Sequence, residues 1–202
     1  MKLHFAIASP YVRKVRAVAM ELGLDGQIEL LNRAMTPVAQ EEELNADNPL
    51  GKIPCLITDD GQALYDSRVI CDYLSSQAAG QGMIPAQGEA RYTALRRQAL
   101  ADGILDATVG TRYETFLRPK EYQWQSWIDA QTSKWRRSLD QLEKEAASFG
   151  DTVDIGTIAV ACACGYLDFR YADEGWRDQR AGLASWYESF AKRPSMMKTA
   201  PE

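Results

Sequence analysis

A proline set immediately before a short apolar run constrains this chain more than any other feature. The run is Asn48, Pro49, Leu50, Gly51, Lys52, Ile53, Pro54, Cys55 and Leu56. Proline has no N–H to give to a sheet ladder, so Pro54 belongs at the first position of a strand or on an edge. The backbone N–H and C=O of Ile53 then lie outside the ladder, turned toward whatever sits alongside, which is how an extended peptide is held. A peptide-shaped ligand is one reading; an ordinary loop with a proline opening a strand is the other.

The rest of the composition narrows the class. At 202 residues, 46% hydrophobic and 25% charged, the chain has the make-up of a soluble globular protein of one large or two small domains. Its net charge of -5 carries no basic block, so nothing points to nucleic acid or an anionic membrane. The triplet Glu41, Glu42, Glu43 reads as a solvated helix face. Cys55, Cys71, Cys162 and Cys164 lack metal-ligand spacing and any C-x-x-C, and with His4 as the lone histidine no metal site is expected. Buried thiols, no signal-peptide core and no transmembrane span predict a cytoplasmic, reducing setting.

In chain order, Lys2 to Ile7 alternates like a half-buried strand, with Leu3, Phe5 and Ile7 inward and His4 on the other face. Ser9 and Pro10 open a helix, hydroxyl N-cap followed by a proline that needs no N–H, with Val12, Val15, Ala19 and Leu22 as its buried stripe and Gly23 as its stop. Gln27 to Leu31 predicts a second strand. Thr36 and Pro37 repeat the cap-plus-proline signal, predicting a short helix to about Asn45. After Pro54 a strand meets the turn Asp59, Asp60, Gly61, and Gln62 to Tyr65 returns. Asp66 and Ser67 open a third helix with Val69, Ile70, Tyr73 and Leu74 as its apolar positions. The order is βαβαββα over residues 1–78, a small α/β unit.

Residues 79–88 hold three glycines and Pro85 and predict a linker. Residues 89–202 read as all helix: Glu89 to Tyr113, Glu121 to Ala147 with core tryptophans Trp124 and Trp135, a strongly apolar helix opened by a capping box of Asp151 and Asp154, and Ala181 to Lys192, stopped by Arg193 and Pro194.

Three pieces line up across these elements: Ser9 capping the first helix, Ile53 and Pro54 before the third strand, and Asp66 with Ser67 at the third helix. Together with the run Ser9 to Arg16, with Asn48 to Pro54, and with Arg193, Pro194, Ser195 near the end, they resemble the glutathione S-transferase family over essentially the whole chain. Bacterial members with serine in the first active-site position are the most similar. The resemblance implies a thioredoxin-like N-terminal domain followed by an all-α domain, and a cytoplasmic, homodimeric enzyme of detoxification with glutathione as co-substrate and no metal. It implies glutathione lying along Lys52, Ile53 and Pro54, with Pro54 in the cis form, and its γ-glutamyl end at Asp66 and Ser67.

Ser9 is the implied catalytic residue, holding the glutathione thiolate for attack on a small hydrophobic electrophile. By fold analogy that second substrate meets Ala8, Tyr11, Ile104, Thr108, Arg112 and Tyr113. With no cysteine beside Ser9, the mixed-disulfide chemistry of cysteine-type members lacks its nucleophile. Asp66 stands where many relatives have glutamate. A non-catalytic glutathione-binding protein, or a dimeric interaction module, is the alternative function on the same fold.

Overall fold

The hydroxyl of Ser9 and the ring of Pro10 start a helix where the sequence sets them, and the first half of the chain is built outward from that start. A computed structural model describes residues 1–34, 36–39, 41–80 and 82–201. Within them β1 (Lys2–Phe5), α1 (Pro10–Glu21), β2 (Glu29–Asn32), α2 (Glu42–Asp47), β3 (Cys55–Ile57), β4 (Ala63–Leu64) and α3 (Ser67–Ser76) follow one another. The sheet order is β2-β1-β3-β4, with β1 parallel to β2, antiparallel to β3, and β3 antiparallel to β4. This is the thioredoxin-like βαβαββα arrangement. Val12, Val15 and Ala19 of α1 are buried, as are Ile70 and Leu74 of α3, against which α1 packs. The chain leaves α1 through Gly23 at φ 70°, a left-handed turn that glycine adopts without strain.

Thr36 and Pro37 do not start a helix: the N–H of Ala39 donates to the Thr36 carbonyl at 3.1 Å, so Pro37 takes the second position of a tight turn, the other site its fixed φ suits. The helix α2 begins at Glu42. His4 does not face solvent but is 1% exposed, because α2 covers that side of β1. Its Nε2 donates to Asp47 Oδ2 at 2.7 Å and its Nδ1 accepts from Arg33 Nε at 2.8 Å, which assigns the Nε2–H tautomer. Val69, counted among the apolar positions of α3, is 46% exposed. Of the acidic triplet, Glu42 and Glu43 are solvent-exposed on α2 as expected, while Glu41 precedes the helix and its Oε1 accepts from the Ala34 N–H at 3.1 Å.

The chain divides into two compact units, Met1–Tyr92 with Pro194–Glu202, and Thr93–Arg193. This differs from the sequence division at both ends. The first turn of α4 (Gly88–Phe116) stays with the first unit, where Arg91 Nη1 donates to the Pro85 carbonyl at 3.1 Å. Pro194, expected only as a stop, also opens α8 (Pro194–Lys198), which packs on α1 and accepts from Arg13 Nη2 at the Met196 carbonyl, 3.0 Å away.

The second unit is built from the rest of α4 with α5 (Gln125–Glu145), α6 (Ile155–Arg170) and α7 (Ala181–Phe190). Every residue of α6 from Ile155 to Leu167 is buried, as its all-round apolar character requires. Gly156 lets α6 approach α4: a Cβ there would lie 2.7 Å from the Ala94 carbonyl oxygen. Trp135, Leu139 and Leu142 of α5 are core, but Trp124 is 65% exposed because it lies before the first turn of α5, where its N–H donates to Glu114 Oε1. The capping box sits three residues later than the sequence reading puts it. Asp154 and Thr157 form it, with Asp154 Oδ1 accepting from the Thr157 N–H at 2.9 Å and Thr157 Oγ1 accepting from the Asp154 N–H at 3.0 Å.

Candidate active site

Strand register brings the three sequence-predicted pieces to one end of the sheet. His4 pairs with Cys55 and Leu56 with Leu64, so the end of β1, the start of β3 and the end of β4 lie side by side. Residues 6–9, 53–54 and 65–67 emerge there together, and both α1 and α3 begin there. Two helix N-termini, each with partial positive charge, therefore serve the same end of the sheet, a setting suited to anionic groups.

Ser9 has extended backbone, φ -80° and ψ 119°, and its Oγ accepts from the Val12 N–H at 3.3 Å. A hydroxyl has one proton to give and two lone pairs. The cap uses one lone pair, which leaves the Ser9 O–H as a donor at the helix start. Arg13 N–H takes the Ser9 carbonyl at 3.0 Å, so the residue's backbone is fixed by α1 itself.

Ile53 is half-buried, and the Ile53–Pro54 peptide bond is cis. Pro54 is buried and β3 starts one residue later, at Cys55. Among the described residues no hydrogen bond engages the N–H or C=O of Ile53, which is the open backbone edge that the proline's position predicts. What holds this edge in place is Asn48, which the sequence reading counts in the run before Pro54 without giving it a role of its own. Buried to 1% exposure, it donates from Nδ2 to the Lys52 carbonyl at 2.8 Å and accepts at Oδ1 from the Leu50 N–H at 3.1 Å. The Asn48-Pro49-Leu50-Gly51 turn was the available signal, and Gly51 at φ 58° completes it. The Lys52 side chain is exposed.

At α3, Asp66 is the N-cap, its Oδ1 accepting from the Arg68 N–H at 2.9 Å, and its exposed carboxylate keeps a second oxygen for another donor. Ser67 is the first helical residue and is 3% exposed; among the described residues its hydroxyl has no protein partner. Cys55, the residue after the proline, is fully buried, and burial together with the nearby Asp47 carboxylate pushes its thiol up to about 11. It is a neutral core thiol at physiological pH. Cys71, Cys162 and Cys164 are buried too.

The residues expected for a second substrate divide between the units: Ala8 and Tyr11 belong to the first, Ile104, Thr108, Arg112 and Tyr113 to the second. Ile104 is fully buried, and the Thr108 hydroxyl donates to the Ile104 carbonyl at 2.8 Å within α4. Arg112 and Tyr113 are the members of that group on α4 with open surface. Among the described residues no group of three or more His, Cys, Asp or Glu side chains is placed to hold a metal ion.

A thioredoxin-like unit with an open backbone edge before its third strand and a hydroxyl at its first helix, followed by a helical unit, defines a class. The family models for the glutathione S-transferase N-terminal and C-terminal domains match residues 8–77 and 125–189, and the chain belongs to the glutathione S-transferase family. It is 35% identical over 205 residues to an uncharacterized GST-like protein of Escherichia coli K12, YibF, covering 100% of this chain and 98% of that protein. A glutathione transferase family member of Pseudomonas fluorescens Pf-5, solved with bound glutathione, superposes with a TM-score of 0.98 at 50% identity, covering 100% of this chain and 98% of that one. A further structure from the same organism, with bound S-(propanoic acid)-glutathione, gives 0.93 at 47% identity and full coverage of both chains.

Proposed function

We propose that this protein is a glutathione transferase in which the Ser9 hydroxyl stabilises the glutathione thiolate for attack on a small electrophile with an apolar body. The observation that carries this reading is the Ser9 cap, which accepts from Val12 N–H and keeps its own proton to give. Glutathione lies extended beside Lys52, Ile53 and Pro54, donating to and accepting from the Ile53 backbone. Its γ-glutamyl carboxylate meets the Ser67 hydroxyl and the start of α3, and its ammonium meets the second oxygen of Asp66. The bound glutathione of the Pseudomonas fluorescens relative supports glutathione as the ligand.

Magnitudes allow the mechanism without a general base. A free thiol titrates near ~8.5, and useful thiolate at neutral pH needs a fall of about two units, or about 2.7 kcal/mol. A hydroxyl hydrogen bond to an anion contributes ~1.5 to 3 kcal/mol and a helix N-terminus ~0.3 to 1. The thiol proton leaves to solvent, the sulfur lone pair forms the C–S bond, and the electrophile's leaving group departs with its bonding pair, or an activated double bond takes the electrons and then a proton. Cys55 supplies no competing nucleophile, because burial keeps it protonated. The exposed apolar side chains Leu50 and Val69 suit the homodimer that the family resemblance implies, and buried thiols suit a reducing cytoplasm. Among the described residues no helix is long and apolar enough to cross a membrane.

The test is glutathione conjugation to an activated aryl halide, with binding measured in parallel by calorimetry. Ser9→Ala is expected to lower kcat at neutral pH by about 10- to 100-fold while glutathione still binds. Binding without any Ser9-dependent turnover in the wild type replaces this reading with that of a non-catalytic glutathione-binding protein.

A further inference from the structure

The loop 48–54 is fixed within itself as one piece. Asn48 Nδ2 donates to the Lys52 carbonyl at 2.8 Å, and the Gly51 N–H donates to the Asn48 carbonyl at 2.8 Å. Gly51, at φ 58°, packs against its neighbours too, since a Cβ there would lie 2.8 Å from Asn45 Oδ1. A loop held this way moves as a body about its two ends. The place of the Ile53 edge is therefore decided by what those ends are fastened to.

Both ends are fastened to His4. At the start, Asp47, the last residue of α2, accepts at Oδ2 from His4 Nε2 at 2.7 Å. At the finish, Cys55 is the partner of His4 across the pair β1 and β3. The Asp47 carboxylate is felt at the Cys55 thiol, as two ends brought together require. The other ring nitrogen is held as well: Nδ1 accepts from Arg33 Nε at 2.8 Å, and Arg33 Nη1 pairs with Glu43, in the first turn of α2, at 2.7 Å. Arg33 is itself tied to the sheet, its N–H donating to the Phe5 carbonyl at 2.8 Å. The chain Glu43, Arg33, His4, Asp47 thus fastens α2 to β1 at both ends of the helix. In it the ring is buried, while Asp47 is half-exposed. An aliphatic side chain fills a buried strand position without two polar nitrogens to satisfy, so what the ring adds here is direction, one bond to each side.

We propose that His4 is a positioning residue for glutathione: through Asp47 it sets the loop 48–54, and with it the Ile53 edge, at the reach that the backbone of the tripeptide needs. The inference rests on the glutathione reading above and adds to it a residue that touches no substrate. His4 acts on binding; the thiolate chemistry stays with Ser9.

The test separates the two ring nitrogens. In His4→Gln the amide nitrogen takes the place of the Nε2–H and donates to Asp47. In His4→Asn the shorter amide stands at the place of Nδ1 and offers Arg33 an acceptor, while His4→Leu keeps the bulk and loses both bonds. Asp47→Ala removes the same link from its more exposed end and leaves β1 as it is. Glutathione dissociation constants by calorimetry, kcat at saturating glutathione and urea midpoints are measured for wild type and each variant. His4→Leu, His4→Asn and Asp47→Ala are expected to raise the dissociation constant by about tenfold and His4→Gln by no more than about threefold, with kcat kept within about twofold throughout. The double variant of His4→Leu with Asp47→Ala should bind no more weakly than the weaker single one, since both act through one bond. A dissociation constant that stays at the wild-type value in His4→Leu and Asp47→Ala, whatever the urea midpoints do, makes the chain a stabilising feature alone and overturns the proposal. Equal weakening in His4→Gln and His4→Leu also overturns it, because the Asp47 link is then not what places the loop. A wild type that does not bind glutathione overturns the reading beneath it instead.

Discussion

At α6 the cap closes on itself: Asp154 accepts from Thr157 N–H, Thr157 Oγ1 accepts from Asp154 N–H, and the hydroxyl of Thr157 turns back to the Asp154 carbonyl at 3.1 Å. At α7 the same need is met from a neighbour, with both Glu143 carboxylate oxygens accepting from the N–H groups of Gly182 and Leu183. The cap of α1 is built differently. Ser9 accepts one N–H and keeps its own proton, and α3 likewise begins with a Ser67 hydroxyl that no described residue takes. Helix starts with their donors matched internally hold the fold; starts with donors left over, gathered at one end of a sheet, are where the proposed function puts the anionic groups of glutathione. The same residue types mark both kinds in the sequence, and the difference lies in what the side chain still has to give.

That contrast can be broken by moving the change from one kind of cap to the other. Asp154→Ala removes half of a closed box and should lower stability by ~1 to 2 kcal/mol, read as a shift in the urea midpoint, with glutathione turnover per folded molecule unchanged. A loss of turnover without a loss of stability would make α6 part of the site. Ser67→Ala acts at an open start. It should raise the glutathione dissociation constant by about five- to tenfold in calorimetry, with kcat at saturating glutathione kept, since Ser67 does not face the sulfur in this account.

The smallest effect is expected at Cys55, a group as closed as Asp154. Its folded thiol is raised to about 11, so the unfolded chain releases this proton first. Stability from this group is therefore full below ~8.5 and declines as pH rises from there toward the folded value. Between pH ~8.5 and roughly 10, where tyrosines begin to titrate, the urea midpoint of wild type should fall more steeply than that of Cys55→Ala. Equal slopes would mean that the thiol is not held neutral.

The pieces of the candidate site are legible as positions in the fold because each is a local signal. A proline before a strand, a serine before a proline-led helix and an acid before a serine act within a few residues, and strand register then carries all three to one place. Where the sequence misleads, a local signal had two structural solutions. Thr36-Pro37 suits a turn as well as a helix start, Pro194 both stops α7 and starts α8, and Asp151 and Asp154 each fit a cap until Thr157 decides. His4 alternates correctly for a half-buried strand, but α2 covers the other face through Asp47, forty-three residues away. The bond from the Tyr171 hydroxyl to the Thr108 carbonyl joins the end of α6 to α4, a spacing no periodicity records.

The most direct measurement is ultraviolet titration of the glutathione thiolate against pH, bound to wild type and to Ser9→Ala. The account predicts that wild type lowers the thiol pKa by one to two units, roughly 1.4 to 2.7 kcal/mol, and that Ser9→Ala returns it toward the value in water. A thiol pKa that is equally low in Ser9→Ala, or unshifted in a wild type saturated with glutathione, contradicts the claim that the open hydroxyl at the start of α1 makes the nucleophile.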